Sequence, residues 1–578
     1  MTHSLSVVRQ QQTTSRGHVL APLIIDRADD TAWDAEAEVV VVGFGGAGVV
    51  AALQAREGGA DVLAVDRFGG GGATSYSGGV TYAGGTRHQA AAGFQDTPEE
   101  MFKYLSAEGN ALGPDALRRF CEGSSADLEW LESHGVPFGS NVYLQKTAYP
   151  PPGHWLYYSG NERLPKFKDV AKPAPRGHLP VTPGFGGHLY YAKLREAALA
   201  KGVRLMPHAP AQRLVVDRDR RVVGVEVKAI PQELWAKHDE LYAVVQPWKP
   251  LNGKRSERAI EKCRELEAGV NAPRRIRARA GVILSTGGFI YNLDMLERYR
   301  PLLARTYTGL LRLGSMGCDG SGIELGQTVG GKTLFMDRYF LGRPLAPPEV
   351  FIYGLMVNVR GERFINEDAY QSLFGDTLVE QPKDGRALLI LDHEQFWKGI
   401  KQSLFPGKGM FMLWGAPALL NIAMGGTRRG RDLQALARKA GIDPVGLQKT
   451  ISAHNQRVRA GQPDPLGKSP DKMIAMEKGP YYAVNVSLNN KFGPTFAFTV
   501  GGLSVDEVSG EVLGENGSRI HGLYAAGRTA TGLCSMGYMS GLALADNVFS
   551  ARRAARHAAR DASGQRATDQ RPVSRQAS

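Results

Sequence analysis

Residues 39–48 read Val-Val-Val-Val-Gly-Phe-Gly-Gly-Ala-Gly, an apolar run that passes directly into a glycine-rich turn. Gly43, Gly45 and Gly48 occupy the three glycine positions of a G-x-G-x-x-G motif. In this motif the first glycine permits the tight turn and the second lets the backbone approach a pyrophosphate. The third lets the next helix pack against the strand. The stretch therefore predicts a strand–turn–helix unit that binds a dinucleotide.

The residues after the turn complete this unit. Residues 47–57 form the predicted helix, whose free N–H groups and positive dipole end suit a phosphate. A short buried strand follows at 61–65, and Asp66 stands at its end, where a carboxylate accepts hydrogen bonds from a ribose diol. The alternative is a glycine-rich turn without a ligand, but the order strand, turn, helix, strand and acid favours dinucleotide binding.

The composition is that of a large globular protein. A chain of 578 residues with 43% hydrophobic residues can hold two or more domains, and its 71 glycines suit many close approaches to a long cofactor. The cysteines are scattered, with no C-x-x-C, so we expect no metal site and no disulfide framework, in a reducing cytoplasm. They are Cys121, Cys263, Cys318 and Cys534.

No run of apolar residues is long enough to span a bilayer. The N-terminal run 19–25 contains a proline, stops at Asp26 and lacks a cleavage pattern, so we expect no signal peptide. The apolar stretch 411–420 is too short to span; we interpret it as core or pocket wall rather than as a membrane-surface contact.

The formal net charge of +13 is partly concentrated near the C-terminus. A basic tail of this kind contacts nucleic acid or acidic lipid in some proteins. Since no nucleic-acid motif accompanies it, we favour a solvated helix end followed by disorder, and expect no nucleic-acid partner. The basic residues are Arg552, Arg553, Arg556, Arg560, Arg566, Arg571 and Arg575.

Further glycine-containing motifs follow the first along the chain. With it, they are residues 43–48, 77–79, 281–289, 317–322, 361–368, and 501–503 followed by 522–528. Their order resembles the two-domain FAD oxidoreductases of the fumarate reductase and 3-ketosteroid dehydrogenase superfamily, from about residue 34 onward. The resemblance implies FAD as the cofactor.

Within that superfamily the chain is most similar to the 3-ketosteroid Δ4-dehydrogenases. Residues 366–370, Asn-Glu-Asp-Ala-Tyr, match the place where that branch has an active-site tyrosine, and 537–541, Gly-Tyr-Met-Ser-Gly, resemble its element facing the flavin. Δ1-Dehydrogenases instead tend to show Tyr-Pro-Gly-Gly-Gly near Tyr538. The His-Arg element of fumarate reductases is not seen near Tyr538, and residues 73–79 contain no histidine for a covalent flavin link.

The resemblance implies an α/β fold: a Rossmann-like FAD-binding domain of the glutathione-reductase type with an inserted α+β catalytic domain. We predict these boundaries: an extension at 1–35, the FAD-binding domain at 36–337 with a helical insertion at about 231–275, the catalytic domain at 338–500, the second part of the FAD-binding domain at 501–560, and a basic disordered tail at 561–578.

The predicted chemistry needs a proton acceptor beside a flavin. Dehydrogenation next to a ketone removes an acidic proton from one carbon and a hydride from its neighbour, C4 and C5 in a 3-ketosteroid. Tyr538, Ser540 and Tyr370 are the candidate catalytic residues, and the resemblance implies that Ser540 takes the proton with support from both tyrosines. Neither residue type is a good base alone at neutral pH, so we expect a hydroxyl relay whose order stays open. The alternatives are a helix cap for Ser540 and plain packing for the tyrosines.

The resemblance also implies the FAD-binding residues. The helix from Gly541 is expected to point its positive end at the flavin pyrimidine, and Arg528 is either a flavin contact or a surface residue. The candidate set is Gly43, Gly45, Gly46, Ala47, Gly48, Asp66, Arg67, Ala73, Thr74, Ser77, Gly78, Gly79, Gly287, Gly527, Arg528, Gly541 and Leu542.

The leading hypothesis is an FAD-dependent oxidoreductase that converts a saturated 3-ketosteroid to the Δ4-3-ketosteroid in steroid degradation, with a quinone-like external electron acceptor. A Δ1-dehydrogenase or an enone reductase of the same fold is the nearest alternative; a nucleic-acid-binding protein or a steroid carrier is weaker. The substrate should be large, flat and apolar. Aromatic and methionine residues that line its pocket or fill the core are Phe340, Phe351, Tyr353, Met356, Phe411, Trp414 and Phe496.

Overall fold

A nine-stranded sheet forms the centre of the chain. The computed structural model describes residues 19–247, 253–346, 348–406, 411–490, 492–493 and 495–569. Across the sheet, the main path runs through Leu23–Ile24, Ala211–Val216, Val222–Lys228, Pro273–Leu284, Ala35–Val42, Val62–Val65 and Arg204–Met206. The strand Arg519–Ala525 joins the sheet beside Pro273–Leu284 and pairs with Glu511–Leu513 on its other side.

The predicted strand before the glycine turn lies at the centre of this sheet. Ala35–Val42 pairs in parallel with Val62–Val65 and with Pro273–Leu284. Its valines are buried and alternate between two core clusters, Val39 and Val41 in one and Val40 and Val42 in the other. A strand that is buried on both faces is typical of a parallel α/β sheet, so the predicted fold class is confirmed.

The first and last described helices pack against each other beside the sheet. Gly46–Glu57 follows the glycine turn, and its end at Gly58 comes so close to the helix Leu542–Asp569 that a Cβ there would lie 2.8 Å from Cβ of Ala559. Small residues on both helices allow this approach. As a result, Asn547 in the first turns of the second helix lies beside the glycine turn, and its Nδ2 would be 2.7 Å from a Cβ on Gly46.

The remaining strands form four smaller sheets. One contains Leu311–Arg312, Phe496–Thr499 and Tyr339–Gly342, and a second pairs Thr333–Leu334 with Gly502–Leu503. A third contains Leu355–Asn358, Ala387–Leu391, Tyr481–Asn485 and Thr427–Gly430. The fourth contains Thr81–Tyr82, Gly177–His178, Leu156–Tyr157 and Val142–Tyr143.

The α-helices surround these sheets. They are Gly46–Glu57, Arg87–Ala91, Pro98–Glu108, Pro114–Ser133, Pro165–Lys168, Gly187–Ala200, Gln232–Val244, Gly253–Ala268, Leu293–Tyr299, Pro301–Thr306, Ser321–Thr328, Ser372–Val379, Pro382–Gly385, His393–Leu404, Ala416–Asn421, Leu433–Ala440, Pro444–Arg459 and Leu542–Asp569. Within the described ranges, no helix combines the length and apolar character needed to cross a bilayer.

The ends of the chain differ from the prediction in one respect. Residues 561–569, predicted to begin a disordered tail, continue the C-terminal helix, because alanines of this helix pack on the sheet layer as far as Ala562. Residues 1–18 of the predicted extension and 570–578 of the predicted tail lie outside the described residues. Two helices, Gln232–Val244 and Gly253–Ala268, occupy the predicted insertion. The domain boundaries stay a prediction.

Candidate active site

The glycine turn is built around backbone contacts that exclude side chains. Gly43 has a φ of +92°, in the region that favours glycine. A Cβ on Gly48 would lie 1.8 Å from the carbonyl oxygen of Gly43, and one on Gly46 would lie 2.3 Å from Oγ1 of Thr74. These three glycines are therefore required by the packing of the protein itself.

Gly45 differs because a side chain there would make only ordinary van der Waals contacts. The atoms nearest to a Cβ there, in Gly71 and Gly72, are 3.8 Å away. The protein leaves room for a side chain at this position, yet the sequence has none. The bare backbone of Gly45 is thus accessible to a ligand in the adjoining cavity, as the second glycine of the motif requires.

Two cavities meet end to end beside this turn. The first encloses about 830 Å³ and the second about 1000 Å³, both including the part open to solvent. Four residues line both: Ala73, Thr74, Arg528 and Asn547. Other predicted cofactor residues line the first cavity alone, namely Gly43, Gly45, Gly46, Ala47, Asp66, Arg67 and Gly287. Those that line the second alone are Ser77, Gly78, Gly79 and Gly541.

Three predicted cofactor residues stand behind the cavity walls instead. Gly48 packs against Gly43, as described above. Gly527 has a φ of +58°, and a Cβ there would lie 2.8 Å from Cβ of Ala47. Leu542 is fully buried in the core beneath the second cavity. Their place in the structure is to shape the walls.

Asp66 closes the turn through backbone hydrogen bonds. Its carboxylate accepts from the N–H of Phe44 at 2.6 Å, of Phe68 at 2.8 Å and of Gly70 at 3.2 Å. The prediction assigned this carboxylate to a ribose diol. Because this carboxylate accepts hydrogen bonds from three backbone N–H groups, it stabilises the turn as well as lining the cavity.

Arg67 lines the first cavity but has its donors committed to two carboxylates. Its guanidinium forms a two-pronged pair with Glu267, at 2.7 and 2.9 Å, and donates through Nη1 to Asp319 at 2.7 Å. The sequence could not reveal this, since the partners lie 200 and 252 residues away. Arg67 therefore fixes the wall and does not present a free cation to a phosphate.

The insertion supplies part of this wall. Glu267 lies on its second helix, and Tyr242 of its first helix lines the first cavity. The ring of Phe68 lies between His238 and Tyr242, with centroid distances of 4.7 and 4.4 Å. The helical insertion thus packs over one end of the predicted cofactor site.

An unpaired polar atom marks the junction of the two cavities. Nη1 of Arg528 is buried and, among the described residues, has no hydrogen-bond partner, while the guanidinium lies 4.9 Å above the ring of Phe498. A buried cationic donor without a partner is costly unless a ligand pairs with it. With the accessible backbone of Gly45, this donor fits a long ligand that carries a pyrophosphate and polar ring atoms, as FAD does.

All three candidate catalytic residues line the second cavity, so the structure brings Tyr538, Ser540 and Tyr370 together. The ring of Tyr538 packs on Phe340 at 4.8 Å and on Phe498 at 5.0 Å. The N–H of Ser540 donates to the carbonyl of Ser159 at 3.2 Å, which anchors its loop.

The side chain of Ser540 contacts Tyr157, a residue that the sequence analysis missed. The hydroxyl of Tyr157 lies 3.1 Å from Oγ of Ser540, and Tyr370 also contacts that serine. Tyr157 is fully buried on the short strand Leu156–Tyr157. No local motif surrounds Tyr157, and 383 residues separate it from Ser540, so only the folded chain reveals the pair.

The phenols around the serine are protonated at neutral pH. Burial raises the pKa of Tyr370 to about 12, partly offset by hydrogen bonds with Gln371 and Ser540. Burial also raises the pKa of Tyr157 and of Tyr538 well above the ordinary value. These side chains therefore act as hydrogen-bond donors or as members of a proton relay.

The alternative role of Ser540 as a helix cap is not what the structure shows. The helix begins at Leu542 and is directly preceded by Gly541, whose φ of +101° places it in the region that favours glycine. A Cβ on Gly541 would lie 2.8 Å from the backbone nitrogen of Tyr82. Oγ of Ser540 thus remains available to the cavity.

The aromatic residues divide between pocket and core. Phe340, Trp414 and Phe496 line the second cavity, as do Tyr149 and Gln371, which the sequence analysis missed. Phe351, Tyr353 and Met356 instead belong to a neighbouring core cluster. The interpretation of 411–420 as core or pocket wall holds for Trp414 but is wrong for Phe411, Met412 and Leu420, which are exposed.

Two carboxyl groups, the buried Glu162 and the half-buried Glu108, lie behind the loop that carries Tyr538 and Ser540. Glu162 accepts from the hydroxyl of Tyr82 at 3.3 Å and from the N–H of Gly160 at 2.9 Å. Glu108 accepts from the hydroxyl of Tyr104 at 2.6 Å, and burial raises its pKa to about 7. Burial likewise raises the pKa of Glu162. The raised pKa values favour the protonated form of both carboxyl groups.

Comparison with known proteins agrees with a cofactor site for FAD. The FAD binding domain family matches residues 38–542. A 3-oxo-5-alpha-steroid 4-dehydrogenase of Comamonas testosteroni is 38% identical over 526 residues, which cover 87% of this chain and 95% of that protein. A 3-oxosteroid 1-dehydrogenase of Mycolicibacterium smegmatis is 26% identical and covers 86% and 92%, respectively.

A solved structure agrees over nearly the whole chain. It is the 3-ketosteroid-Δ4-(5α)-dehydrogenase from Rhodococcus jostii RHA1 in complex with 4-androstene-3,17-dione. It matches with a TM-score of 0.77 and 32% identity, covering 93% of this chain and 100% of that one. The family and the cofactor expected from the motifs are confirmed: this chain belongs to the FAD binding domain family of flavoprotein oxidoreductases, and within it to the branch that includes the 3-oxosteroid 4-dehydrogenases.

Proposed function

We propose that this protein dehydrogenates a saturated 3-ketosteroid to the Δ4-3-ketosteroid, in the cytoplasm and as part of steroid degradation. One observation carries the proposal: Ser540, Tyr370 and Tyr538 line a largely apolar cavity that shares four lining residues with the glycine-lined cofactor cavity, and the hydroxyl of Tyr157 contacts Ser540 from behind the wall. The Comamonas and Rhodococcus relatives, with their printed activities, support the same reaction. The electrons then pass to an external, quinone-like acceptor.

Oγ of Ser540 takes the proton that leaves C4. An isolated serine is too weak a base for this, but its contacts with Tyr157 and Tyr370 let its own proton pass onward as the new one arrives. No free alkoxide then has to persist in an apolar pocket. When bound, FAD supplies the acceptor for the hydride that leaves C5.

The hydroxyl of Tyr538 donates to the 3-keto oxygen. Because burial keeps this phenol protonated, it is a donor across the neutral range. The helix that begins at Leu542 adds its positive end on the same side of the cavity. Both stabilise the enolate charge that develops as the C4 proton leaves, which is the condition for a weak base to succeed.

The pocket walls suit a flat, apolar substrate. Phe340 and Phe498 are stacked with centroids 4.8 Å apart, and Phe496 and Trp414 extend the aromatic lining. Nε1 of Trp414 and Oε1 of Gln371 have no hydrogen-bond partner among the described residues. These atoms are available to polar groups of a substrate.

The test is anaerobic mixing of the FAD-loaded protein with 5α- and 5β-saturated 3-ketosteroids, followed by identification of the product. We expect bleaching of the flavin and a C4–C5 double bond. A Δ1 product, or a protein that only reduces enones, would overturn the proposal. Steroid binding without any change in flavin absorbance would instead indicate a carrier.

A further inference from the structure

One segment of the chain has an unusual charge pattern. Residues 395–431 contain six Lys or Arg residues and no Asp or Glu. The whole chain has 57 acidic residues among 578, so a segment of this length would ordinarily carry several. Between its basic residues the segment is rich in Phe, Trp, Met and Leu. A basic and apolar composition of this kind is typical of surfaces that bind anionic lipid.

The structure places large apolar side chains of this segment in solvent. Met412 is 78% exposed, Phe405 77%, Met424 56% and Trp397 53%. We call the full set the apolar face; it consists of Trp397, Leu404, Phe405, Phe411, Met412, Leu420 and Met424. Scattered exposed apolar residues are ordinary, but seven within one short stretch of chain are a mark of an interaction surface.

The helix His393–Leu404 shows how the face is built. Trp397, Lys401 and Leu404 are spaced so that they share one side of this helix, and all are exposed. Phe396 and Gly399 lie on another side and are buried. The helix thus buries one flank in the protein and offers a second apolar flank, with a cation on it, to the outside.

The segment that carries the apolar face also supplies part of the wall of the second cavity. Trp414, from the same segment, is buried, lines that cavity and lies 6.3 Å from the ring of Phe496. A bilayer in contact with this segment would therefore be close in sequence to the substrate pocket.

Exposed cations lie in the same segment as the apolar face. Lys401, Arg428 and Arg429 are exposed, and none of them forms an ion pair among the described residues. Lys398 and Arg431 also lie here but pair with Glu394 and Asp432, which stand just outside the acid-free segment. The surface thus combines unpaired positive charge with long apolar side chains.

We propose that the apolar face and its cations dock the protein on the surface of an anionic lipid bilayer. The apolar side chains enter the interface while the cations contact headgroups. A second copy of the chain fits less well, because self-association through a segment without acids would place like charges against each other. This proposal goes beyond the proposed reaction and does not require it.

The test is sedimentation of the FAD-loaded full chain with vesicles, without substrate. Vesicles of phosphatidylcholine alone are compared with vesicles that contain equal parts of phosphatidylcholine and phosphatidylglycerol. We expect at least a tenfold larger bound fraction on the anionic vesicles, reduced by added salt. A Phe405→Ser/Met412→Ser variant and a Lys401→Gln/Arg428→Gln/Arg429→Gln variant should each lose most of it. Flavin content and thermal unfolding report their folding.

A matched control variant distinguishes vesicle binding through the apolar face from nonspecific adsorption through any exposed apolar side chain. Val445 and Ile474, exposed to 76% and 44%, lie outside the segment, and Val445→Ser/Ile474→Ser should bind vesicles as the parent does. Equal binding by the Phe405→Ser/Met412→Ser variant would overturn the proposal, since it would indicate charge adsorption only. Absence of vesicle binding, or a dimer that this variant abolishes in sedimentation equilibrium, would overturn it as well.

Discussion

The contact between Tyr157 and Ser540 leads to a quantitative prediction. Tyr157→Phe removes one hydroxyl that lies 3.1 Å from Oγ of Ser540 and leaves the buried ring in place. If Ser540 accepts the C4 proton, that hydroxyl supports a group on which charge develops. A hydrogen bond to a charged group contributes about 1.5–3 kcal/mol. Flavin reduction should therefore slow by about 10- to 150-fold.

The assay is anaerobic stopped-flow measurement of the reduction of the bound flavin by a saturated 3-ketosteroid at a saturating concentration. Ser540→Ala should slow this step by about 10²- to 10⁴-fold, as expected for a lost general base. The double variant should be no slower than Ser540→Ala, because Tyr157 acts only through the serine. Tyr158→Phe is the matched control: its ring contacts Phe94 instead, and its rate should equal that of the parent.

Two outcomes would refute this reasoning. Reduction of Tyr157→Phe at the parental rate would show that its hydroxyl takes no part in the proton step. A double variant slowed by the product of the two single effects would show that Tyr157 and Ser540 act independently. Flavin content, measured on each variant, excludes loss of cofactor as the cause.

Three further predictions follow from individual contacts. Burial raises the pKa of Glu108 to about 7, so ionising it costs stability as pH rises from about 4.3 to 7. Glu108→Gln, which keeps the hydrogen bond from Tyr104, should have a free energy of unfolding in urea that is higher by about 3–4 kcal/mol at pH 8 and unchanged at pH 4. Gly48→Ala should fail to fold because its Cβ would lie 1.8 Å from a carbonyl oxygen, whereas Gly45→Ala should fold and lose FAD affinity, measured by flavin fluorescence. Arg528→Met should fold but release FAD about tenfold more readily in the same assay, because it removes the unpaired buried donor.

Each of these has an outcome that contradicts it. Equal stabilisation of Glu108→Gln at both pH values would show that ionisation of the carboxyl is not the cause. Normal FAD binding by Gly45→Ala would mean that the cofactor does not approach this backbone. Unchanged FAD release from Arg528→Met would mean that the guanidinium is satisfied without the cofactor.

The sequence predicts the glycine turn well because its requirements are local. Gly43 is needed for its positive φ and Gly48 for its contact with the carbonyl oxygen of Gly43, both within the turn, and the order of strand and helix can be predicted from the apolar runs. Asp66 lines the first cavity at the end of the predicted strand, but its backbone hydrogen bonds are visible only in the folded chain.

The remaining features depend on contacts between distant parts of the chain. Arg67 has the side chain expected for a phosphate contact, but the insertion brings Glu267 to it. The segment at 411–420 was interpreted as interior because it is apolar. Composition alone does not distinguish an apolar surface from a core, since only packing decides which face of each helix meets other residues.

The pocket itself explains why a serine can serve as the proton acceptor. Among the described residues that line it there is no His, Asp or Glu, and every phenol whose pKa shift is resolved has its pKa raised by burial. Catalysis in such a pocket cannot depend on a strong base; it depends on making the C4 proton acidic. In the proposed reaction, Tyr538 and the helix beginning at Leu542 would achieve this by stabilising the enolate, and Ser540 would then need only to pass the proton along the hydroxyl chain. An apolar pocket with a weak relay thus suits a substrate that carries its own activating ketone.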